Sequence, residues 1–367
     1  MASTSPISFA RGAPSLDIVD QEGLKEAAQR AFTNDPGGTF AYGTSVGYVP
    51  LREWIAEQHG VEPDQVLVTN GSMQADAFLF QLLVNPGDAV IVESPTYDRT
   101  LLNLRTLGAD VRMVELETDG IDVDGVEALL QTPDFHPKLA HVIPNFQNPA
   151  GYTLSAAKRA RLLALSAEHD FTLFEDDPYI AIRFEGETLP TMRSQDEAGK
   201  VVYASSFSKT VCPGIRCGYL VGPQAVIDQV KGLATNTYIS PNMVAQSIVN
   251  EFCRSGALDR SIDTVKTALR ERRDALVTAL ERELPEARFT PPQGGYFMWV
   301  ELPEGTSVAE VETAARERGV VFVKGTDFLL GGGENTLRLA YSGVTPAEID
   351  EGVTRLAQAV RSLRVAA

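Results

Sequence analysis

Lys209 stands in Ser205-Ser206-Phe207-Ser208-Lys209-Thr210, a lysine among small hydroxyl residues at a turn between two β-rich runs. A primary amine in such a turn can condense with an aldehyde to an imine, and the hydroxyls beside it can hold a phosphate carried on the same molecule. Alone, Ser-x-Ser-Lys is a weak motif and reads better as a solvated loop lysine. Thr69-Asn70-Gly71-Ser72-Met73-Gln74 joins a strand to a helix, where the first helical N–H groups are unbonded and suit a phosphate dianion. Gly71 lets the backbone come close, although a plain turn capped by Ser72 explains the same six residues. Glu175-Asp176-Asp177-Pro178-Tyr179 ends a strand in carboxylates and a phenol. A carboxylate there, best spaced at Asp176, can keep a heterocycle nitrogen protonated so that the ring withdraws electrons. Asp177 is expected to be solvated.

Three more positions add to this. In Asn145-Phe146-Gln147-Asn148-Pro149-Ala150-Gly151 the Asn148 amide can donate to a ring oxygen, and the same residues are ordinary turn chemistry. Tyr97, in Ser94-Pro95-Thr96-Tyr97, offers a flat face to a ring or fills a core. Thr336-Leu337-Arg338-Leu339-Ala340-Tyr341-Ser342 sets one arginine on an apolar strand, where an unpaired charge is costly. The α-carboxylate of an amino acid suits its guanidinium fork, and a structural ion pair is the alternative.

The elements that must position these residues alternate from about residue 50. Residues 51–60 read as a helix, 65–70 as a strand, 72–84 as a helix and 88–94 as a strand. The pattern continues with a helix over 101–109, strands over 110–116 and 139–145, a helix over 155–170, and strands over 171–177, 201–206 and 216–222. Such alternation predicts an α/β fold with a mainly parallel sheet, whose ligands bind beyond the carboxyl ends of the strands. Beyond residue 255 a charged amphipathic stretch over 257–285 precedes short strand signals at 287–291, 295–303, 320–325 and 335–342, which predicts a smaller α+β unit. The first forty residues, rich in Gly and Pro with one helix near 21–33, are expected to drape over the rest.

The chain has 367 residues, 44% hydrophobic and 22% charged, in the range of globular proteins large enough for two domains. A net charge of −17 repels nucleic-acid backbones and anionic lipid surfaces. Cys212, Cys217 and Cys253 are an odd number without metal-site spacing, and His59, His136, His141 and His169 are scattered, so neither disulfides nor a metal is expected. The N-terminus carries no secretory or transit pattern, and the expectation is a cytoplasmic protein without membrane or nucleic-acid partners.

Together these motifs resemble the fold-type I pyridoxal 5′-phosphate (PLP) enzymes of aminotransferase class I/II. The branch is that of 2-aminoadipate aminotransferase-like proteins and the catalytic-type domain of MocR regulators, and the resemblance runs from Ile7-Ser8-Phe9-Ala10-Arg11-Gly12-Ala13-Pro14 to Arg338. It implies the PLP-dependent transferase fold type I, with a mostly parallel seven-stranded sheet flanked by helices in a large domain over 41–254. A small C-terminal domain over 255–367 and an N-terminal segment over 1–40, joining the small domain and covering the active site, complete it.

By the same resemblance Lys209 is the Schiff-base lysine, Asp176 the partner of the pyridine nitrogen, and Tyr179 and Asn148 the pair on the ring oxygen. Tyr97 stacks on the ring. Gly71, the backbone N–H groups of Ser72 and Met73, and the side chains of Ser206, Ser208 and Arg216 form a phosphate cup. Tyr42 reaches the phosphate from a neighbouring subunit, which implies a homodimer with shared sites. Arg338 binds the α-carboxylate, Gly12 lies in the segment closing over the substrate, and Arg11 meets a distal carboxylate or forms a surface pair. Two departures stand out: Met73 offers only its backbone where relatives often carry a polar side chain, and Lys324 stands where they often have proline, near the loop shaping the side-chain pocket.

The activity implied is transfer of an amino group from an α-amino acid to a 2-oxo acid, plausibly 2-oxoglutarate. Elimination, replacement or ring formation on the same scaffold uses the same cofactor contacts. A ligand-sensing regulator needs a basic DNA-binding domain before the cofactor domain, and the acidic charge opposes that reading.

Overall fold

The structure, a computed structural model, describes residues 6–364; the first five residues of the segment 1–40 and the last three of 255–367 lie outside the described residues. Its largest element is an eight-stranded sheet in the order Val66–Thr69, Gly218–Val221, Val201–Ser206, Thr172–Asp176, Pro137–Val142, Ala89–Ser94, Asp110–Glu117, Gly120–Ile121. Seven are the strands expected from the sequence, and the eighth is a two-residue hairpin return at the edge. The four pairings among the central strands and Asp110–Glu117 are parallel. Gly218–Val221 is antiparallel to both its neighbours. Val66–Thr69 therefore runs in the same direction as the parallel strands, and its carboxyl end shares their edge.

Side chains alternate across this sheet with the period of two that extended backbone imposes. Val90, Val92, Phe174, Val202 and Ala204 pack on one side against Leu79, Phe80 and Ile227. On the other side Ile91, Leu173 and Val201 meet Val126, Leu162 and Leu165, while Val68, Tyr203 and Val221 meet Leu51, Ile55 and Phe252. Both faces are covered, which explains why the strands read as near-continuous apolar runs. Helices Val123–Leu130, Gln224–Tyr238 and Met243–Arg254 belong to these layers and were not among the expected elements.

A second, antiparallel sheet has the order Arg288–Phe289, Phe297–Glu301, Thr336–Ala340, Val323–Lys324. It packs with the helices Ala257–Glu283 and Pro346–Arg364 through Leu269, Leu276, Leu337, Leu339 and Val353. The run 320–325, expected as one strand, is divided: Val323–Lys324 joins this sheet, and Val320–Val321 pairs in parallel with Ile7–Ser8. The N-terminal segment is thereby tied down, with Phe9 fully buried and its carbonyl accepting from the Ala340 N–H at 2.8 Å. Further along, Arg272 binds Asp17 at 2.7 Å and donates to Ser15 Oγ at 2.9 Å.

Candidate active site

The carboxyl edge of the large sheet, the small sheet and the N-terminal segment enclose a cavity of about 450 Å³, in the size range of small-molecule sites. Lining it are Arg11, Gly12, Ser72, Met73, Tyr97, Asn148, Asp176, Tyr179, Ser206, Ser208, Lys209, Arg216 and Arg338. Residues more than three hundred positions apart in sequence thus meet because strand ends, turns and the segment 10–12 converge there.

One end of the cavity is built for an anion. Helix Ser72–Leu83 begins after Gly71 with no side-chain cap, so its first N–H groups face outward. Gly71 has φ +77°, and a Cβ there would stand 2.2 Å from Arg216 Nη2, so a side chain is excluded both by backbone conformation and by the guanidinium. Arg216 itself is left-handed, at φ 47°. It donates to Ser208 Oγ at 3.2 Å and to the Asn70 carbonyl at 3.4 Å, while the Ser206 hydroxyl donates to Ser208 Oγ at 2.9 Å. Gly218, which sequence reasoning passed over, makes this packing possible: a Cβ on it would lie 2.5 Å from the Gly71 carbonyl carbon and 2.6 Å from Ser72 N.

The middle of the cavity holds an amine and a carboxylate. Lys209 Nζ donates to the Gly12 carbonyl at 2.7 Å, and its own carbonyl accepts from the Tyr296 hydroxyl at 2.9 Å. Burial, then the guanidinium groups of Arg216 and Arg338, push the Lys209 amine down to about 8, against the opposing pull of Asp176. Burial is the largest cause of that shift, and the two guanidinium groups add to it. Asp176 is buried at the end of its strand, and its Oδ1 has no hydrogen-bond partner. Tyr179 is buried close by, and Tyr97 is half-buried with its hydroxyl 3.8 Å from Met73 Sδ. Burial and the charges of Asp98 and Asp176 raise the Tyr97 phenol to about 12.

At the far end Arg338 is 6% exposed and stacked between the rings of Phe297 and Phe328, with centroids 4.3 and 4.8 Å away. It donates to Asn148 Oδ1 at 2.8 Å and to the Ala10 carbonyl at 2.6 Å, and its Nε has no partner. Among the described residues no carboxylate lies within ion-pair distance of it, so the structural ion pair weighed against an anion site is not what holds Arg338.

Some expected residues stand elsewhere. Tyr42 is 86% exposed and outside this cavity. Lys324 turns to Glu312, 3.4 Å away, and Val323 lines the cavity instead. Asp177, expected to be solvated, is fully buried and accepts from Asn145 Nδ2 at 2.7 Å, because its strand end is covered by the residues that follow. Burial raises its carboxyl to about 7. Glu175 is also buried, accepting from the N–H groups of Met192 and Arg193 at 2.9 and 2.8 Å. His141, read in the sequence only as one of four scattered histidines, stands 3.7 Å from Asp176, and Asp76, which belongs to no motif, was not singled out.

The family model for aminotransferase class I and II matches residues 5–356. The 2-aminoadipate transaminase of Thermus thermophilus is 35% identical over 97% of this chain and 90% of its own length. Aromatic-amino-acid aminotransferase 1 of Thermococcus litoralis is 32% identical over 97% of this chain and 88% of its own. Among solved structures, the alpha-aminoadipate aminotransferase of Thermus thermophilus in complex with N-(5′-phosphopyridoxyl)-L-leucine superposes with a TM-score of 0.94 at 33% identity, covering 99% of this chain and 94% of that one.

The chain belongs to the class I and II aminotransferases and has fold type I. It is an enzyme that transfers an amino group between an α-amino acid and a 2-oxo acid with PLP as cofactor. The cavity fits that group: an uncapped helix start and Arg216 suit a phosphate, Asp176 Oδ1 awaits a donor, and an amine of lowered proton affinity lies between them.

Proposed function

We propose that Lys209 is the amine that carries PLP and then moves the proton at the substrate Cα, with Asp176 keeping the pyridine nitrogen protonated. When bound, PLP supplies an electron sink for the Cα carbanion. The observation that carries this reading is the convergence, in one cavity, of an amine lowered to about 8, a carboxylate with an unpartnered oxygen, and a guanidinium with no carboxylate partner. An amine of that proton affinity is populated as both base and acid near neutral pH.

The remaining roles follow from position. Gly71, the N–H groups of Ser72 and Met73, and the side chains of Ser206, Ser208 and Arg216 hold the phosphate. Tyr97 stacks on the ring, and Asn148 and Tyr179 bond its oxygen. Arg338 takes the α-carboxylate, a bidentate anion that suits its fork better than the two neutral acceptors it has now. Gly12 holds the lysine amine through its carbonyl, and Arg11, on the cavity wall, meets a distal carboxylate. The names of the relatives support 2-aminoadipate and aromatic amino acids as donors, and 2-oxoglutarate is the acceptor we propose.

The enzyme acts as a homodimer in the cytoplasm. Exposed Phe40, Tyr42 and Ile239 support a covered face, and Tyr42 completes the phosphate cup of the other subunit. No helix among the described residues is long and apolar enough to cross a membrane. We divide the chain into 1–40, 41–254 and 255–367, a reading supported by the eight-stranded sheet lying within 66–221 and the antiparallel sheet within 288–340.

The test is to incubate purified protein with PLP, 2-oxoglutarate and a panel containing 2-aminoadipate, tyrosine and phenylalanine, identifying products by mass. Glutamate and the donor's 2-oxo acid are expected in equal amounts. Release of ammonia, or products that retain the donor nitrogen, overturns transamination in favour of elimination or replacement. Lys209→Ala is expected to retain no cofactor label after borohydride reduction, and a retained label overturns the assignment of the lysine.

A further inference from the structure

Behind Asp176, away from the cavity, lie two ionisable side chains that the reaction as derived above does not use. Helix Ser72–Leu83 presents Ser72, Asp76 and Phe80 along one face, four residues apart. Strand Thr172–Asp176 presents Phe174 and Asp176 along one face, two residues apart. Phe80 meets Phe174 edge-on with centroids 5.7 Å apart. One step toward the cavity on each element stand Asp76 and Asp176.

His141, the register partner of Phe174 on the adjacent strand, touches both rings and points Nε2 at Asp176 Oδ2, 3.7 Å away. Asp76 is 3% exposed and His141 fully buried. Among the described residues, Asp76 Oδ1 and both ring nitrogens of His141 lack hydrogen-bond partners. Three ionisable groups on one apolar floor, with such atoms unsatisfied, cost stability that ordinary core residues would not.

Asp76 and Asp176 form a pair of buried carboxyls, and burial together with the Asp176 charge disfavours ionisation of Asp76. The other titratable groups that feel Asp176 are Glu93, Tyr97, Asp177 and Tyr179, all acids, and Lys209 across the cavity. Asp176 alone of the pair borders the cavity, where a protonated ring nitrogen can face it. The proton therefore resides on Asp76, whose carboxyl burial and the Asp176 charge raise well above its ordinary range.

We propose that Asp76 and His141 are positioning residues for amino transfer, a neutral acid and an imidazole that keep Asp176 as the charged carboxylate on the cavity floor. The proposal rests on the assignment of Asp176 as partner of the pyridine nitrogen, and its first test requires no cofactor. In cofactor-free protein at pH 7, the infrared difference between wild type and Asp76→Asn is expected to contain the carbonyl stretch of a neutral carboxylic acid, persisting to pH 8. Absence of that band means Asp76 is ionised and overturns the proposal while leaving Lys209 and its chemistry untouched.

In the PLP-loaded enzyme, Asp76→Leu and His141→Phe are each expected to lower kcat about tenfold. KM should change less than about twofold, and the pH midpoint of the cofactor absorbance should move by about one unit. Asp76→Asn, which keeps a donor in the same shape, should recover most of the loss. Folded variants with unchanged kcat and unchanged midpoint show a purely structural pair and overturn the positioning role.

Discussion

Lys209 and Arg338 are two side chains of the candidate site whose charge the fold makes expensive. Lys209 binds its proton up to about pH 10.5 when unfolded and only to about 8 when folded. The penalty of enclosing its charge is thus fully present below pH 8 and vanishes as pH rises toward 10.5. Cofactor-free Lys209→Met is expected to be more stable than wild type by roughly 3 kcal/mol at pH 7. That gain should disappear near pH 10.5, which urea unfolding at the two pH values measures. Arg338 presents the complementary case, a buried cation satisfied only by an amide oxygen and a backbone carbonyl. Arg338→Ala is expected to lower kcat/KM for amino acids about a hundredfold or more, and Arg338→Lys to recover only part because lysine lacks the planar fork. Steady-state kinetics with 2-aminoadipate checks both.

Among the elements, the phosphate end shows how a strand-to-helix turn becomes a site. The turn at 69–72 has the form expected from its sequence, yet its geometry depends on Gly218 from a strand almost 150 residues later, whose missing side chain admits the Gly71–Ser72 peptide. Gly218→Ala puts a carbon against backbone that cannot give way. It is expected to weaken PLP binding about tenfold while leaving the affinity for pyridoxal, which lacks the phosphate, within about twofold; equilibrium dialysis of both compounds separates the effects. Seven strands of the large sheet and six of the helices were legible because their apolar periods and turn residues are local, whereas helices such as Gln224–Tyr238, Met243–Arg254 and Pro346–Arg364 were not. The division of 320–325 between two sheets was not, because both halves carry the same β-branched, apolar character and only their partners, Ile7–Ser8 and Thr336–Ala340, distinguish them.

At the scale of the molecule, the exposed aromatic segment around Phe40 and Tyr42 bears on assembly. If Tyr42 serves the neighbouring subunit, a Tyr42→Ala chain and a Lys209→Ala chain, each deficient alone, restore one complete site when combined. Mixing the two after reversible dissociation is expected to regain activity that neither homodimer has, and an unchanged mixture excludes sharing. The strapping of the N-terminal segment by Phe9, Ala10, Gly12 and Asp17 to the small sheet, Arg338, Lys209 and Arg272 also belongs to this scale.

The sequence by itself determined the class of chemistry, since an amine, a carboxylate, a glycine-led helix start and a guanidinium each sit in a local motif whose spacing is readable without a fold. Tertiary structure alone decided what surrounds them. It buried Asp177 and left Tyr42 outside, turned Lys324 toward Glu312, and brought Asp76 and His141 behind Asp176. Proton affinity depends on burial and on neighbours contributed by distant strands, and neither quantity is written in the residues adjacent along the chain.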